Sequence, residues 1–429
     1  MNIYLDTVGC RLNQSEIEAY ARQLRAAGHT LVPSCEGADL VVINTCSVTE
    51  AAASDSRQKI RQANRGGARK IVVTGCWAEL NPEAAKNIPG VSQVIPNSEK
   101  DHLVSVLLLA NEAGIDREPV ERLPIPGPRL RTRAFIKVQD GCDNHCTFCV
   151  ARLARGLGRS RTIAEVIKDI RASGAKEIVL TGVHLGAWGR DFSPPTHLQH
   201  LVISILAQTQ VPRLRLSSLE PWDLDVSFFT LWKDTRLCRH LHLPLQSGCD
   251  ATLRQMARRI TTSAYGYLLE EARAAIPDVA ITTDLITGFP GESEAEYLES
   301  LHFVESMQFA DGHVFTYSPR PGTAAERLPD QVPFTIRKER NTRMRSVLAK
   351  SGVSFRNGFV GQTLPVLWEH TNIFSAEKWQ ISGLTDNNVR VHAALPQRLW
   401  NEITPVKVTG TTRDGLWGEI SNGANDDRK

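Results

Sequence analysis

Apolar and polar positions follow three successive textures along the chain. Up to about Ala110, short β-rich runs (NIYLDTVG, DLVVINT, KIVVTG) each end at a small residue and give way to a polar, helix-competent stretch. That alternation predicts βαβ units and a mostly parallel sheet. From about Arg131, six more strand-like runs (AFIKVQD, EIVLTGV, RLRLSS, LHLPLQ, AITTDLITGF, GHVFTYS) are separated by helical stretches. Two of those helices open on capping boxes, Thr162 with Glu165 and Ser293 with Glu296. The repetition predicts a partial (β/α)6 barrel with its functional groups at the C-terminal ends of the strands. A basic helical stretch, Thr335 to Phe355, closes this part. From about Gly358 to Gly418 the runs are short and purely β-like (LPVLWE, WQISGL, NVRVHA, ITPVKVTG, LWGEI), which predicts a small all-β module.

The fold class is thus α/β: an open parallel sheet, a partial barrel and a small all-β barrel. Between the first two lies REPVERLPIPGPR, Arg117 to Arg129, where Pro124, Pro126 and Pro128 prevent helix or central strand. We place divisions at 1–116, 117–130 (linker), 131–356 and 357–420, with a tail at 421–429 expected to be disordered.

Composition adds two exclusions. The formal charge is +3 from 50 basic and 47 acidic residues, so bulk charge does not indicate a strongly basic polymer-binding protein. The N-terminus carries no basic-then-apolar leader, and no apolar run nears the about 20 residues of a membrane span. A cytoplasmic protein with no membrane partner is expected.

The nine cysteines change the picture more. An odd count in a long chain argues against a disulfide scaffold and for metal binding or reactivity. Cys142, Cys146 and Cys149 follow the strand-like FIKVQDG within eight residues. Three thiolates without a fourth suit an iron–sulfur cluster with one open iron. A zinc site completed by His145 or by a distant residue is the competing reading. Cys10, Cys46 and Cys76 each stand just past a β-run, and carboxyl ends of parallel strands collect ligands on one rim. A second three-thiolate cluster competes there with three inert buried cysteines. Cys35, Cys238 and Cys249 have no such context.

C-x₃-C-x-Phe-C at the end of the first barrel strand resembles the radical S-adenosylmethionine (SAM) enzymes. With the Cys10, Cys46, Cys76 set ahead of it, the chain resembles the methylthiotransferase family over nearly its whole length. The resemblance also rests on Gly9-Cys10-Arg11-Leu12-Asn13-Gln14, Asn44-Thr45-Cys46, Thr74-Gly75-Cys76, Ser217-Ser218-Leu219-Glu220-Pro221, Leu243-Pro244-Leu245-Gln246-Ser247-Gly248, Gly288-Phe289-Pro290-Gly291-Glu292 and Tyr317-Ser318-Pro319-Arg320-Pro321-Gly322-Thr323. The all-β module resembles a TRAM domain, the family's RNA-binding part. Two stretches depart from the family pattern: Val150 to Gly156 lacks a usual Ile-Pro pair, and Ile260 replaces a usual aromatic.

The resemblance implies two [4Fe–4S] clusters and two SAM molecules per turnover. One SAM methylates a sulfur species on the auxiliary cluster of Cys10, Cys46 and Cys76. The other is cleaved at the cluster of Cys142, Cys146 and Cys149, and the radical activates the carbon that receives the methylthio group. A reducing donor such as flavodoxin or ferredoxin is implied, and a monomer is expected. Thr181 to Gly186 and Ser318 to Pro333 look most like the branch acting on threonylcarbamoyladenosine in tRNA. The isopentenyladenosine branch, a ribosomal-protein aspartate and a non-catalytic iron–sulfur RNA-binding protein are the alternatives.

Further residues follow from placement. Phe148 is placed to pack on SAM, and Thr181, Gly182, Glu220 and Gln246 to line the barrel mouth. Arg129, Arg131, Arg133, Lys137, Arg152, Arg155, Arg159 and Arg161 bracket the cysteine motif, and among them Arg152, Arg155, Arg159 and Arg161 are expected to hold RNA phosphates. Arg337, Lys338, Arg340, Arg343 and Arg345 form a second basic run. His145, His184 and His242 read as strand or loop histidines.

Overall fold

The computed structural model describes residues 1–108, 125, 132–373, 379–396 and 399–420, with only the backbone course given for 370–373. The linker at 117–130, apart from Ile125, and the tail at 421–429 lie outside the described residues. The chain forms two compact units. The first comprises Met1–Gly174, Val179–Thr209 and Ser318–Glu326; the second comprises Ala175–Ile178, Gln210–Tyr317 and the chain from Arg327. The central segment is therefore shared between the units.

In the first unit, strands β1 (Asn2–Thr7), β2 (Thr30–Leu31), β3 (Leu40–Thr45), β4 (Ile71–Gly75) and β5 (Val91–Val94) form a parallel sheet in the order β2-β1-β3-β4-β5. Alternate side chains enter opposite cores. Ile3, Leu5, Val42 and Val72 pack with Ile17, Tyr20 and Leu24 of helix α1 (Arg11–Ala26), and Ile125 lies against that cluster. Val41, Ile43 and Val73 pack with Ile60 and Ala63 of helix α2 (Glu50–Arg65) and with Trp77. Burial on both faces is why LVVINT reads as a continuous apolar run. The edge strands β2 and β5 were not expected; both are short and lack an apolar alternation.

The six barrel-like runs all become strands: Ala134–Lys137, Glu177–Thr181, Arg213–Leu216, His240–His242, Ala280–Thr287 and Asp311–Thr316. In the first unit, the Val138 N–H donates to the Thr181 carbonyl at 2.9 Å. In the second, parallel bridges Leu214–Leu237 and Ser218–His242 lead into a parallel sheet of the last three strands. Both expected capping boxes are present, at Thr162 and Ser293.

The C-terminal module is a closed five-stranded barrel around Val366, Trp368, Ile381, Val391 and Val406. It is joined to the N-terminal ends of the second unit's strands by buried arginines. Arg213 donates to the carbonyls of Leu384 (2.9 Å) and Pro365 (2.7 Å). Arg215 pairs with Glu177 at 2.6 Å, both 0% exposed, and donates to the carbonyls of Thr385 and Asp386. Arg239 pairs with Asp386 at 2.7 Å. Barrel attachment thus uses the strand ends opposite those where catalytic groups gather.

Candidate active site

The cysteine loop Cys142 to Cys149 is closed at its root by a short antiparallel ladder of Gln139–Asp140 with Arg159–Ser160. The chain turns at Gly141, with φ +73°, where a Cβ would stand 1.9 Å from the Leu157 carbonyl oxygen. Only glycine fits there. The Cys142 N–H donates to the Gly156 carbonyl (3.0 Å), and the Cys149 N–H to the Cys146 carbonyl (3.1 Å). The Ala151 N–H points at Cys149 Sγ, 3.4 Å away. Gln139, which sequence reasoning missed, organises the root. Its amide donates to the carbonyls of Asp140 and Gly141, and its oxygen accepts the His184 N–H at 2.8 Å. Its position as a polar residue at a strand end, three before a cysteine, was the available signal.

Cys10, Cys46 and Cys76 stand beyond the carboxyl ends of β1, β3 and β4, which are neighbours in the sheet. Gly9 (φ +92°) lies so close to Cys46 that a Cβ there would meet its sulfur at 2.3 Å. The motif asparagines bind the strand ends together. Asn13 donates to the Val8 and Thr45 carbonyls, and Asn44 to Glu16 Oε2 at 2.9 Å. Burial pushes the Cys10 thiol up, against the opposing effect of Arg155. Burial above all, with smaller contributions from Cys10 and Cys76, pushes the Cys46 thiol up to about 11.

Arg155 links Cys76 to Asp140 at the root of the Cys142 loop. It ends the helix Ala151–Arg155 that follows Cys149. Its Nε donates to Cys76 Sγ at 3.2 Å, Nη1 to Glu16 Oε1 (3.0 Å) and Asp140 Oδ1 (2.9 Å), and Nη2 to Asn13 Oδ1 (2.8 Å). Lys100 meets the other Glu16 oxygen at 2.5 Å. Burial alone would raise the Glu16 carboxyl; Arg155, then Lys100 and Lys137, hold it below the ordinary range.

This corrects the expectation that Arg155 contacts RNA. It is 5% exposed and fully engaged inside the protein, because counting charges along a sequence does not separate solvent-facing from buried, paired cations. Lys137 is buried too, facing Glu16 and Asp101. Arg161 pairs with Asp169 at 2.9 Å; Arg152 is half-buried against His145; Arg159 is exposed. Arg129 and Arg131 lie outside the described residues. In the second basic run Arg340 is buried on Glu292.

A late segment completes the site. Ala325 donates its N–H to the Thr147 carbonyl at 2.9 Å, inside the Cys142 loop. Arg320 reaches Glu50 Oε2 (3.3 Å) and the Val48 carbonyl (3.4 Å), just after Cys46. The Arg-Pro-Gly-Thr motif was legible, but not its contacts with both cysteine regions.

Phe148 is half-buried beside Cys149. Thr181 is buried, and Gly182 packs on Gln139, where a Cβ would stand at 3.0 Å. Glu220 and Gln246 belong to the second unit. Glu220 pairs with Arg258 (2.7 Å), which lies over the Trp222 ring; Gln246 has φ +77°. His184 is buried, and His242 meets Asp284 at 3.3 Å. Cys238 and Cys249 are buried, the former pushed up to about 12 by burial, and Cys35 is half-buried.

The residues present fit iron–sulfur ligation. Each cysteine set offers three thiols without a fourth, and N–H donors face the sulfurs of Cys76 and Cys149. Asn44 Oδ1 and Thr74 Oγ1, below the Cys46 and Cys76 rim, are buried with no hydrogen-bond partner among the described residues. No three His, Cys, Asp or Glu groups among the described residues are gathered tightly enough for a single metal ion.

Residues 2–96 match the family described as "Uncharacterized protein family UPF0004", and residues 136–304 the "Radical SAM superfamily". Two relatives named "Threonylcarbamoyladenosine tRNA methylthiotransferase MtaB" are similar over nearly their full length. The one from Bacillus subtilis is 34% identical, covering 94% of this chain and 92% of the relative. The one from Thermotoga maritima is 35% identical, covering 96% of each. This chain belongs to the radical SAM tRNA methylthiotransferase family. A family member from Geobacter metallireducens, named "tRNA-2-methylthio-N(6)-dimethylallyladenosine synthase", is 31% identical over 98% of each chain. Among solved structures, the radical SAM methyltransferase TsrM from Kitasatospora setae, with cobalamin and a [4Fe-4S] cluster bound, aligns with a TM-score of 0.54. At 15% identity, over 76% of this chain and 74% of TsrM, that is a likeness of fold. As a radical SAM methylthiotransferase the protein is an enzyme. No helix among the described residues is long and apolar enough to cross a membrane.

Proposed function

We propose that this methylthiotransferase acts on C2 of N6-threonylcarbamoyladenosine next to the tRNA anticodon, giving the 2-methylthio derivative. The observation that supports the chemistry is that both three-cysteine sets lie in one compact unit, in which Arg155, six residues after Cys149, donates to Cys76. Cys142, Cys146 and Cys149 would hold one [4Fe–4S] cluster, and Cys10, Cys46 and Cys76 the other. When bound, SAM and the two clusters supply the carbon-activating radical and the sulfur. The chain's part is to hold and orient. Gly141 and Gln139 fix the first loop, the β1, β3 and β4 ends present the second set, and Arg320 with Ala325 ties the two regions together. Phe148, Thr181 and Gly182 are assigned to SAM. Arg152, Arg159 and Arg161 are assigned to RNA phosphates, which position a substrate without reading its sequence. A cytoplasmic monomer reduced by a flavodoxin or ferredoxin completes the reading.

The threonylcarbamoyl substrate is favoured by the relatives bearing that name, at 34–35% identity against 31–32% for those named for dimethylallyladenosine. Mass spectrometry of tRNA nucleosides from a strain lacking this protein tests it. The 2-methylthio-threonylcarbamoyl nucleoside should disappear. Loss of the dimethylallyl derivative instead would move the enzyme to that branch. An unchanged nucleoside pool would point to a protein target.

A further inference from the structure

We propose that Arg155 is a positioning residue for the auxiliary cluster. It supplies a fixed N–H···S hydrogen bond to the Cys76 ligand and mechanically couples that ligand to the Cys142 loop. The proposal rests on the reading that Cys10, Cys46 and Cys76 carry a cluster.

The geometry is specific to arginine. Each edge of the planar guanidinium has its own partner: Nε faces Cys76 Sγ, Nη1 two carboxylate oxygens and Nη2 the Asn13 amide oxygen. The partners come from three places in the chain. Asn13 and Glu16 lie on the helix that follows Cys10, Asp140 lies two residues before Cys142, and Cys76 is itself one of the thiols. Arg155 lies six residues after Cys149. Asp140 in turn accepts the Gly141 N–H at 2.9 Å, so the root of the radical loop is fixed to the same guanidinium. A lysine could neutralise Glu16 and Asp140. It could not hold that fork while donating sideways to a sulfur. Hydrogen bonds to sulfur and local charge are among the determinants of an iron–sulfur potential. A buried cation donating to one ligand therefore makes that cluster easier to reduce and fixes the side on which Cys76 binds.

The test isolates the auxiliary cluster in full-length protein carrying Cys142→Ala, Cys146→Ala and Cys149→Ala. After selective ¹⁵N-arginine labelling, pulsed electron paramagnetic resonance of the reduced cluster should show a ¹⁵N coupling, which disappears in Arg155→Lys. The midpoint potential of Arg155→Lys should also shift to more negative values while its iron content is retained. Absence of a ¹⁵N coupling in the labelled parent protein overturns the proposal whether or not the lysine variant folds. An unchanged potential in a folded, iron-loaded Arg155→Lys protein overturns it equally. A parent protein that takes up no iron at all refutes the cluster assignment instead, so the two failures are distinguishable.

Discussion

Two buried arginines, Arg155 in the first unit and Arg215 in the second, solve the same electrostatic problem with different results. Each is sunk in the interior and held by carboxylate: Glu16 and Asp140 for Arg155, Glu177 for Arg215. Arg215 directs its remaining donors to the Thr385 and Asp386 carbonyls, and so fastens the C-terminal barrel. Arg155 directs one donor to a thiol sulfur beside two more cysteines. A buried ion pair is poor evidence of net stabilisation, because desolvation offsets much of its attraction. What identifies its role is the atom that takes the spare donor. Carbonyls make a structural joint; a strand-end thiol is where the proposed site lies.

The largest effect that sharpens this contrast lies on the Arg155 side. Replacing Cys10, Cys46 and Cys76 together by Ala should abolish methylthio transfer while SAM cleavage continues, read as 5′-deoxyadenosine released under dithionite. Full transfer activity in that variant would remove the reason for separating the two arginines. Next comes Arg215→Met, which takes the nearer of two arginines from the buried Glu177 and leaves Arg213 at 3.6 Å. Breaking such a pair costs about 3–5 kcal/mol, visible as a lower urea midpoint. Iron content and turnover per folded molecule should be unchanged; a selective loss of turnover would break the comparison from the other side.

A smaller effect depends on pH. Burial opposes ionisation of Glu16, but Arg155 and the two lysines hold its carboxyl below its ordinary value of 4.5. A group depressed on folding stabilises fully above its unfolded pKa and loses that contribution as pH falls through the folded one. Urea midpoints measured downward from about pH 5 should therefore fall more steeply in the parent than in Glu16→Gln. Parallel curves would mean that the node does not hold the carboxyl down. The smallest effect is a control remote from both nodes. Thr162→Ala removes one capping box and should cost about 1 kcal/mol without altering iron uptake.

Much of the fold was readable because its signals are local. A continuous apolar run such as LVVINT needs only burial on both faces, and Thr162 with Glu165 needs only a three-residue spacing. The same locality explains why all six barrel strands were found and the short edge strands β2 and β5 were not. Cys10, Cys46 and Cys76 were readable because each stands just past a strand, and Cys142, Cys146 and Cys149 because they crowd into eight residues. Arg155, Glu16 and Asp140 were misread or missed, since their partners are separated by up to 142 positions and a lone charge in sequence looks like surface. Arg320 shows the same limit: its contacts at Val48 and Glu50 lie about 270 residues earlier.

That last distance has a consequence for synthesis. The unit containing Cys10, Cys46, Cys76, Cys142, Cys146 and Cys149 is not continuous in sequence, and its final strip, Ser318–Glu326, is made only at about three quarters of the chain. A ribosome extends the chain from the N-terminus, so all six thiols emerge well before Arg320 and Ala325 exist to bridge their loops. Iron delivered to a nascent chain would meet an incomplete receptacle. Chains that terminate early would carry every cysteine of the site without the segment that ties its two halves together.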